Sequence, residues 1–274
     1  MVSNRLRDAD RPALGRAPVP LVVAAAIALA VLLVPVAALL IRAPWSDLPD
    51  HIASAAVLQA LRLSLVTATL AAALSLVLGV PLAWMLARVS FRGRPIIRAL
   101  VTVPLVLPPV VGGIALLMAF GRQGVVGKPA YEVFGLTIPF TMSAVVLAQT
   151  FVALPFLIIS VEGALRSSDA RYDEVAATLG ASRWTTFRTI TLPMTLPGVV
   201  SGLVLAWSRA LGEFGATVTF AGNFPGTTRT MPLAIYTARQ AEPETSLVLS
   251  VILLGISVAV LVALRERWIG GVTR

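Results

Sequence analysis

Six long runs without a charged residue constrain the fold of this chain more than any other feature. They cover 21–41, 63–87, 99–121, 133–161, 189–208 and 245–264. About twenty apolar residues in a helix are enough to cross the hydrocarbon core of a bilayer, where the helix satisfies its own backbone hydrogen bonds. We therefore predict an all-α integral membrane protein with six transmembrane helices. We place these helices near 20–42, 61–87, 99–120, 140–162, 196–220 and 246–264.

The distribution of charge predicts the orientation of these helices. If both termini are cytoplasmic, the inside segments carry fifteen arginines, and the outside loops carry four arginines and one lysine. Such a bias is the positive-inside pattern of membrane proteins. The net charge of +9 therefore indicates topology and attraction to anionic membrane lipid, not nucleic-acid binding. The first run follows a basic tail, as in a signal peptide, but its length favours a retained transmembrane helix.

Missing residue types exclude several kinds of chemistry. The chain has no cysteine and one histidine, His51, which excludes disulfides, thiol nucleophiles and Cys/His metal sites. The stretch nearest to a phosphate-binding loop, Gly121 to Pro129, has the wrong spacing and a proline where the metal-binding hydroxyl belongs. We expect no catalytic residue, metal or cofactor on this chain.

The third run contains the sequence Val103-Pro-Leu-Val-Leu-Pro-Pro-Val-Val-Gly-Gly113. Pro104, Pro108 and Pro109 each remove a backbone donor, so the helix cannot continue undisturbed. Broken backbone inside a membrane is tolerated where protein or a water-filled cavity satisfies it. We expect either a gating element that lines a pathway or a kink that only assists packing.

Charged residues inside the fifth span are the strongest pointer to a pathway. Arg209 and Glu213 are four residues apart, so on one helix they share a face and can form an ion pair. Such residues are costly in a membrane and usually functional. The pair could clasp the fold, line an anion path or contact an outer partner. Near the span ends, we expect Arg62 and Glu162 to snorkel towards water.

A polar segment at 164–195, between the fourth and fifth spans, carries its own helix signals. Ser168 or Asp169 can cap a first helix, whose apolar face holds Tyr172, Val175, Ala176 and Leu179. Gly180 can end that helix, and Ser182 can cap a second one with Trp184, Phe187 and Arg188. We expect Leu192-Pro193 to end the unit. The plain alternative is an amphipathic loop at the membrane surface.

This segment resembles a known motif. Glu174, Ala176, Gly180, Ile190, Leu192 and Pro193 stand at the spacings of the EAA loop in permease subunits of binding-protein-dependent ABC importers. Val175 departs from the usual alanine. The resemblance implies a type I importer permease fold, a homodimer, a pair of ATP-binding subunits and a periplasmic or lipid-anchored binding protein. It also implies that the segment couples to the ATPase through Glu174, Ala176, Ala177, Gly180, Trp184, Phe187, Arg188, Ile190, Leu192 and Pro193.

Further segments resemble one branch of that family. Arg209 to Thr217 is similar to permeases for molybdate and sulfate, whereas 221–236, 107–109 and 121–127 are similar to the molybdate branch. The resemblance implies import of molybdate or tungstate across the bacterial inner membrane, with Pro104, Pro108, Pro109, Arg209 and Glu213 on the pathway. Sulfate or thiosulfate transport, an ion-coupled transporter with an Arg209–Glu213 relay, and a structural anchor are the alternatives.

These inferences divide the chain into four parts. A cytoplasmic tail covers 1–19, and the first transmembrane helix with its outer loop covers 20–56. The permease domain covers 57–265 and includes the coupling loop 164–195. A second cytoplasmic tail covers 266–274.

Overall fold

A computed structural model describes residues 18–46, 48–169 and 171–269, and all regular structure in those ranges is helical. The chain divides after Pro44 into two units. The first unit contains helix α1, Val19–Arg42, which is apolar and long enough to cross a membrane. Most of the predicted N-terminal tail lies outside the described residues, as do positions 270–274 of the second tail.

The second unit is built from the remaining helices. Their bounds are α2 Leu48–Ala53, α3 Ala55–Arg88, α4 Arg94–Val106, α5 Pro109–Phe120, α6 Gly127–Phe134, α7 Met142–Ser167, α8 Arg171–Thr178, α9 Arg183–Thr186, α10 Leu192–Leu211, α11 Gly215–Phe220, α12 Met231–Ala241 and α13 Pro243–Ile269. A π-helical turn, Phe187–Thr191, joins α9 to α10. Helix α13 therefore continues past residue 265, where we expected the second tail to begin.

Helices α3, α7 and α10 form the core of the second unit. Small residues let them approach closely, as the spacing of Gly198 and Gly202 indicates. A Cβ added to Gly198 would lie 2.2 Å from the Cβ of Ala164, and the hydroxyl of Ser160 donates to the Gly198 carbonyl at 3.0 Å. Leu157 is fully buried at the same contact. These three helices make the rigid frame on which the coupling loop and the broken span are mounted.

Among the described residues, five helices are long and apolar enough to cross a membrane, and α4 with α5 adds a sixth crossing if this bent pair is one span. The two halves are bent by 118°, so the predicted break in the third span is confirmed. It falls at Leu107-Pro108, where Leu107 has an extended backbone and Pro108 is the non-helical residue before α5. Pro104 does not break the helix, contrary to expectation, because it lies in the last turn of α4 and forfeits one hydrogen bond.

The fifth span differs from the predicted 196–220. The helical segment runs from Arg183 to Leu211, and α11 is a separate short helix beyond Gly212. The expectation that Leu192-Pro193 ends the coupling unit is wrong, because both residues begin α10. Proline is tolerated in the first turn of a helix, and here the amide of Leu192 donates back to the Phe187 carbonyl in the π-helical turn.

Candidate functional site

The coupling segment, residues 168–193, has the two helices and the bend at Gly180 that its helix signals predict, although the second helix runs on into α10. The Asp169 carboxylate accepts from the Arg171 amide at 2.9 Å, and Ser182 Oγ accepts from the Thr185 amide at 3.1 Å. Gly180 has φ +81°. Its amide donates to the Ala177 carbonyl while that of Ala181 donates to the Ala176 carbonyl, both at 3.0 Å. These two hydrogen bonds end α8 and fix the bend between α8 and α9 at Gly180, which we call the elbow.

One side of α8 is apolar and open. The side chains of Tyr172, Val175 and Leu179 are 54%, 56% and 83% exposed, and only Ala176 of this predicted face is buried. Glu174 and Ala177 are also exposed and line a cleft beneath the elbow. An exposed apolar strip on an otherwise ordered segment indicates a surface that contacts another protein or the membrane surface.

The aromatic residues of the second coupling helix divide between two roles. Trp184 is 68% exposed and stacks on Phe187 with ring centroids 5.8 Å apart. Phe187 is less exposed, because its other side meets Trp84 of α3 edge-on at 6.1 Å. Trp184 can therefore meet a partner, whereas Phe187 attaches the segment to the frame. Arg188 is exposed, and Ile190 is half-buried.

An ion pair that sequence reasoning missed fixes the elbow to α3. Arg88 Nε lies 3.2 Å from Asp173 Oδ2, and Arg88 Nη2 donates to Ser168 Oγ at 2.7 Å. The other oxygen of Asp173 accepts from the Thr191 hydroxyl at 2.9 Å. Asp173 thus joins both coupling helices to the end of a transmembrane helix. The motif drew attention to the neighbouring Glu174. Asp173 was missed because no rule of sequence spacing connects it to Arg88, which stands 85 positions earlier.

Glu162 does not snorkel, contrary to expectation. It is 7% exposed, and its Oε1 atom accepts from Arg98 at 2.6 Å and from Arg166 at 2.9 Å. A carboxylate this buried needs counter-charges. One of them, Arg98 of α4, is distant in sequence, so the spacing of residues did not reveal it. Arg62 is exposed and lies beside a cleft with Gln59 and Gly226.

Arg209 and Glu213 form the predicted pair, at 2.6 Å. They are not on one helix, however, because α10 ends at Leu211. Glu213 is 1% exposed, and its second oxygen accepts from the Ala216 amide at 2.8 Å, which caps α11. Both oxygens of Glu213 are therefore engaged, an arrangement that favours the clasp among the three expected roles.

Helix α11 packs tightly against α5, immediately after the break in the third span. A Cβ on Gly215 would lie 2.6 Å from the Cβ of Pro109, and one on Gly113 would lie 2.7 Å from the Cβ of Thr219. The Arg209–Glu213 pair and the predicted pathway prolines Pro108 and Pro109 thus belong to one region. Pro104 lies apart from this contact, inside α4.

Comparison with proteins of known sequence gives consistent results. Residues 79–271 match the family of binding-protein-dependent transport system inner membrane components. The molybdenum transport system permease protein ModB of Mycobacterium tuberculosis is 50% identical over 235 residues, covering 85% of this chain and 88% of the relative. ModB of Escherichia coli is 42% identical over 216 residues, covering 79% and 94%.

Solved structures agree at the level of the fold. A bacterial ABC transporter involved in the import of alginate has a TM-score of 0.71 at 17% identity, covering 93% of this chain and 95% of that one. The MetNI methionine ABC transporter has a TM-score of 0.63 at 18% identity, covering 80% and 96%. The fold is therefore that of type I ABC importer permeases. The predicted membership of the ABC importer permeases is confirmed: the chain belongs to the family of binding-protein-dependent transport system inner membrane components.

Proposed function

We propose that this chain is the permease subunit of an ATP-driven molybdate importer in the bacterial inner membrane. Its substrate class is supported by the ModB relatives, at 50% and 42% identity over most of the chain. The observation that carries the coupling function is the elbow at Gly180. It is a fixed polar segment, attached to α3 through Asp173, that presents an exposed apolar strip.

The proposed partners are a pair of ATP-binding subunits, an external oxyanion-binding protein and a second copy of this chain. The tails and the coupling segment face the cytoplasm, as the arginine distribution predicts. ATP is hydrolysed by the partner subunits, and no cofactor acts on this chain. The coupling contacts come from the exposed members of the predicted set, with Glu174, Ala177, Trp184 and Arg188 foremost.

The proposed mechanism is the transfer of a rigid displacement. Closure of the ATP-binding subunits moves the coupling segment, which transmits the movement to the spans because Asp173 and Phe187 tie it to α3. The pathway lies at the region of Pro108, Pro109, Arg209 and Glu213, where α5, α10 and α11 meet. Pro104 remains a candidate for the flexible end of α4.

Selectivity resides mainly in the external binding protein. Within the described part of the spans, Arg88, Arg98, Arg166 and Arg209 are engaged by carboxylates, whereas Arg62 of α3 has no ion pair with a described residue. A guanidinium already paired has little attraction left for a passing oxyanion. Weak sites also favour release, which transport needs at each cycle.

Reconstitution tests this proposal. The chain is assembled in proteoliposomes with its ATP-binding subunits and its oxyanion-binding protein, and molybdate, tungstate and sulfate are compared as stimulants of ATP hydrolysis and as transported ions. We expect ATP-dependent molybdate uptake that requires both partners. A preference for sulfate would show that sulfate, and not molybdate, is the substrate. Uptake by the chain alone under a proton or sodium gradient would favour the ion-coupled alternative.

A further inference from the structure

The cytoplasmic end of α3, as oriented above, is bonded to the first half of the broken span. The last carbonyls of a helix have no donors within it, and two of those in α3 receive arginines from α4. Arg98 Nη2 donates to the Leu86 carbonyl at 3.3 Å, and Arg94 Nη2 donates to the Ala87 carbonyl at 3.4 Å. Both arginines lie near the start of α4, so its movement is tied to the end of α3.

Arg98 makes a second connection, to α7. Its Nε and Nη2 atoms both donate to Glu162 Oε1, at 3.0 and 2.6 Å. Glu162 lies five residues before the end of α7, and the coupling segment follows directly. One guanidinium therefore joins α4 to the two helices that enter and hold the coupling segment. A planar guanidinium can make these bonds together, whereas an ammonium cannot reproduce the same fork.

Apolar packing alone attaches α4 weakly. In α4, all of which the structure describes, no residue is buried. Ile97 and Val101 are partly buried against the core cluster. Core residues normally dominate the attachment of a helix, so here the polar groups carry an unusual share of it.

We propose that two ion pairs, Arg88–Asp173 and Arg98–Glu162, together called the clamp, carry displacement of the coupling segment to the broken third span. Arg88 and Asp173 receive the displacement from the segment, and Arg98 with Glu162 passes it to α4. Arg98 is a positioning residue, because it touches the helices that move and not the transported ion. This inference rests on the proposed function, since it assumes that ATP-binding subunits move the segment.

The test follows two positions in the same assembled transporter. The chain has no cysteine, so Ser167→Cys and Val106→Cys can each carry a spin label. Ser167 is exposed where the coupling segment begins, and Val106 is 83% exposed at the break. Distances between equal labels on the two copies are measured by pulsed electron resonance, with and without vanadate-trapped nucleotide. ATP hydrolysis and molybdate uptake are measured on the same samples.

With wild-type Arg98, we expect both distances to change on trapping. With Arg98→Gln, the Ser167 distance should still change while the Val106 change is lost. Coupling between protein sites is typically about 5–150-fold, so stimulation of hydrolysis by loaded binding protein should fall at least about fivefold. Arg92→Gln is the matched control, because Arg92 is exposed and no described residue pairs with it. That variant should retain both changes.

Two further variants cover loss of assembly. Arg98→Lys keeps the charge without the planar fork, so its Val106 distance change should lie between those of the wild type and Arg98→Gln. The double exchange Arg98→Glu with Glu162→Arg keeps the same number of positive and negative charges beside Arg166, and it should restore part of the Val106 distance change. A full Val106 change in every assembled Arg98 variant would overturn the clamp. If the wild-type complex shows neither distance change nor ATP-dependent uptake, the proposed function fails instead.

Discussion

Replacing Gly180 tests whether the shape of the elbow is what transmits movement. Gly180 has φ +81°, and a Cβ added to it meets no heavy atom within 4 Å. The cost of Gly180→Ala is therefore conformational and not steric, about 1–2 kcal/mol for an L-residue in the left-handed region. Asparagine tolerates this region better than alanine, and a β-branched valine tolerates it worse.

The free energy converts into an expected loss of transport. About 1.4 kcal/mol is a tenfold change in an equilibrium, so a cost of about 1–2 kcal/mol shifts the equilibrium between the correct elbow and other conformations by about 5- to 30-fold in Gly180→Ala. ATP-driven molybdate uptake in proteoliposomes should fall in the order Gly, Asn, Ala, Val. The number of ATP molecules hydrolysed for each ion should rise in the same order, with membrane insertion unchanged.

A second glycine provides the control. Gly163 lies within α7 at negative φ, and a Cβ added there also meets nothing within 4 Å. Gly163→Ala should leave uptake at the wild-type level. If Gly180→Ala and Gly180→Val take up molybdate as well as the wild type, the conformational argument is refuted. A loss of uptake that follows side-chain size, with Gly180→Asn worse than Gly180→Ala, would refute it too.

The remaining predictions concern stability and assembly. Glu213→Ala leaves a partly buried arginine without its counter-ion and uncaps α11, so we expect a loss of about 3–5 kcal/mol, measured by thermal unfolding in detergent. Glu213→Gln should lose less, because its amide oxygen can still accept from the helix amide. Gly215→Ala should destabilise the protein by about 1–3 kcal/mol through overpacking against α5, and a variant as stable as the wild type would contradict that contact. Trp184→Ala should weaken copurification of the ATP-binding subunit with little change in melting temperature, whereas Phe187→Ala should lower the melting temperature, and the reverse pattern would show that the two roles are misassigned.

The positions of the spans, helix ends and helix break were predictable where the signal for each lies within one short stretch of sequence. Uncharged runs identify the crossings because a bilayer imposes one length and one polarity on each helix. Gly180 and Ser182 were predictable because a helix end needs particular backbone conformations and side-chain acceptors. Likewise, the cluster of prolines predicts a break, since each proline removes a backbone donor.

Interactions between distant segments were not predictable. Nothing in the sequence connects Arg88 with Asp173, or Arg98 with Glu162, because these pairs form only after α3 meets α8 and α4 packs against α7. The end of α10 at Leu211 was missed because, apart from Arg209 and Glu213, small and mostly apolar residues continue to Phe220. Helix α12 also lay within a stretch treated as an outer loop, and its proline at the second position permits a helix start there.

The most direct test of the account asks which side of the membrane the elbow faces and what it touches. Leu179→Cys, at a position 83% exposed on the elbow, is placed in the cysteine-free chain and crosslinked in the assembled complex. Val125→Cys, 85% exposed in the turn between α5 and α6, serves as the control for the opposite side. We expect the elbow cysteine to crosslink to the ATP-binding subunit and to react with an impermeant thiol reagent only in inverted vesicles. Reaction from outside intact cells, without a crosslink to that subunit, would contradict the account.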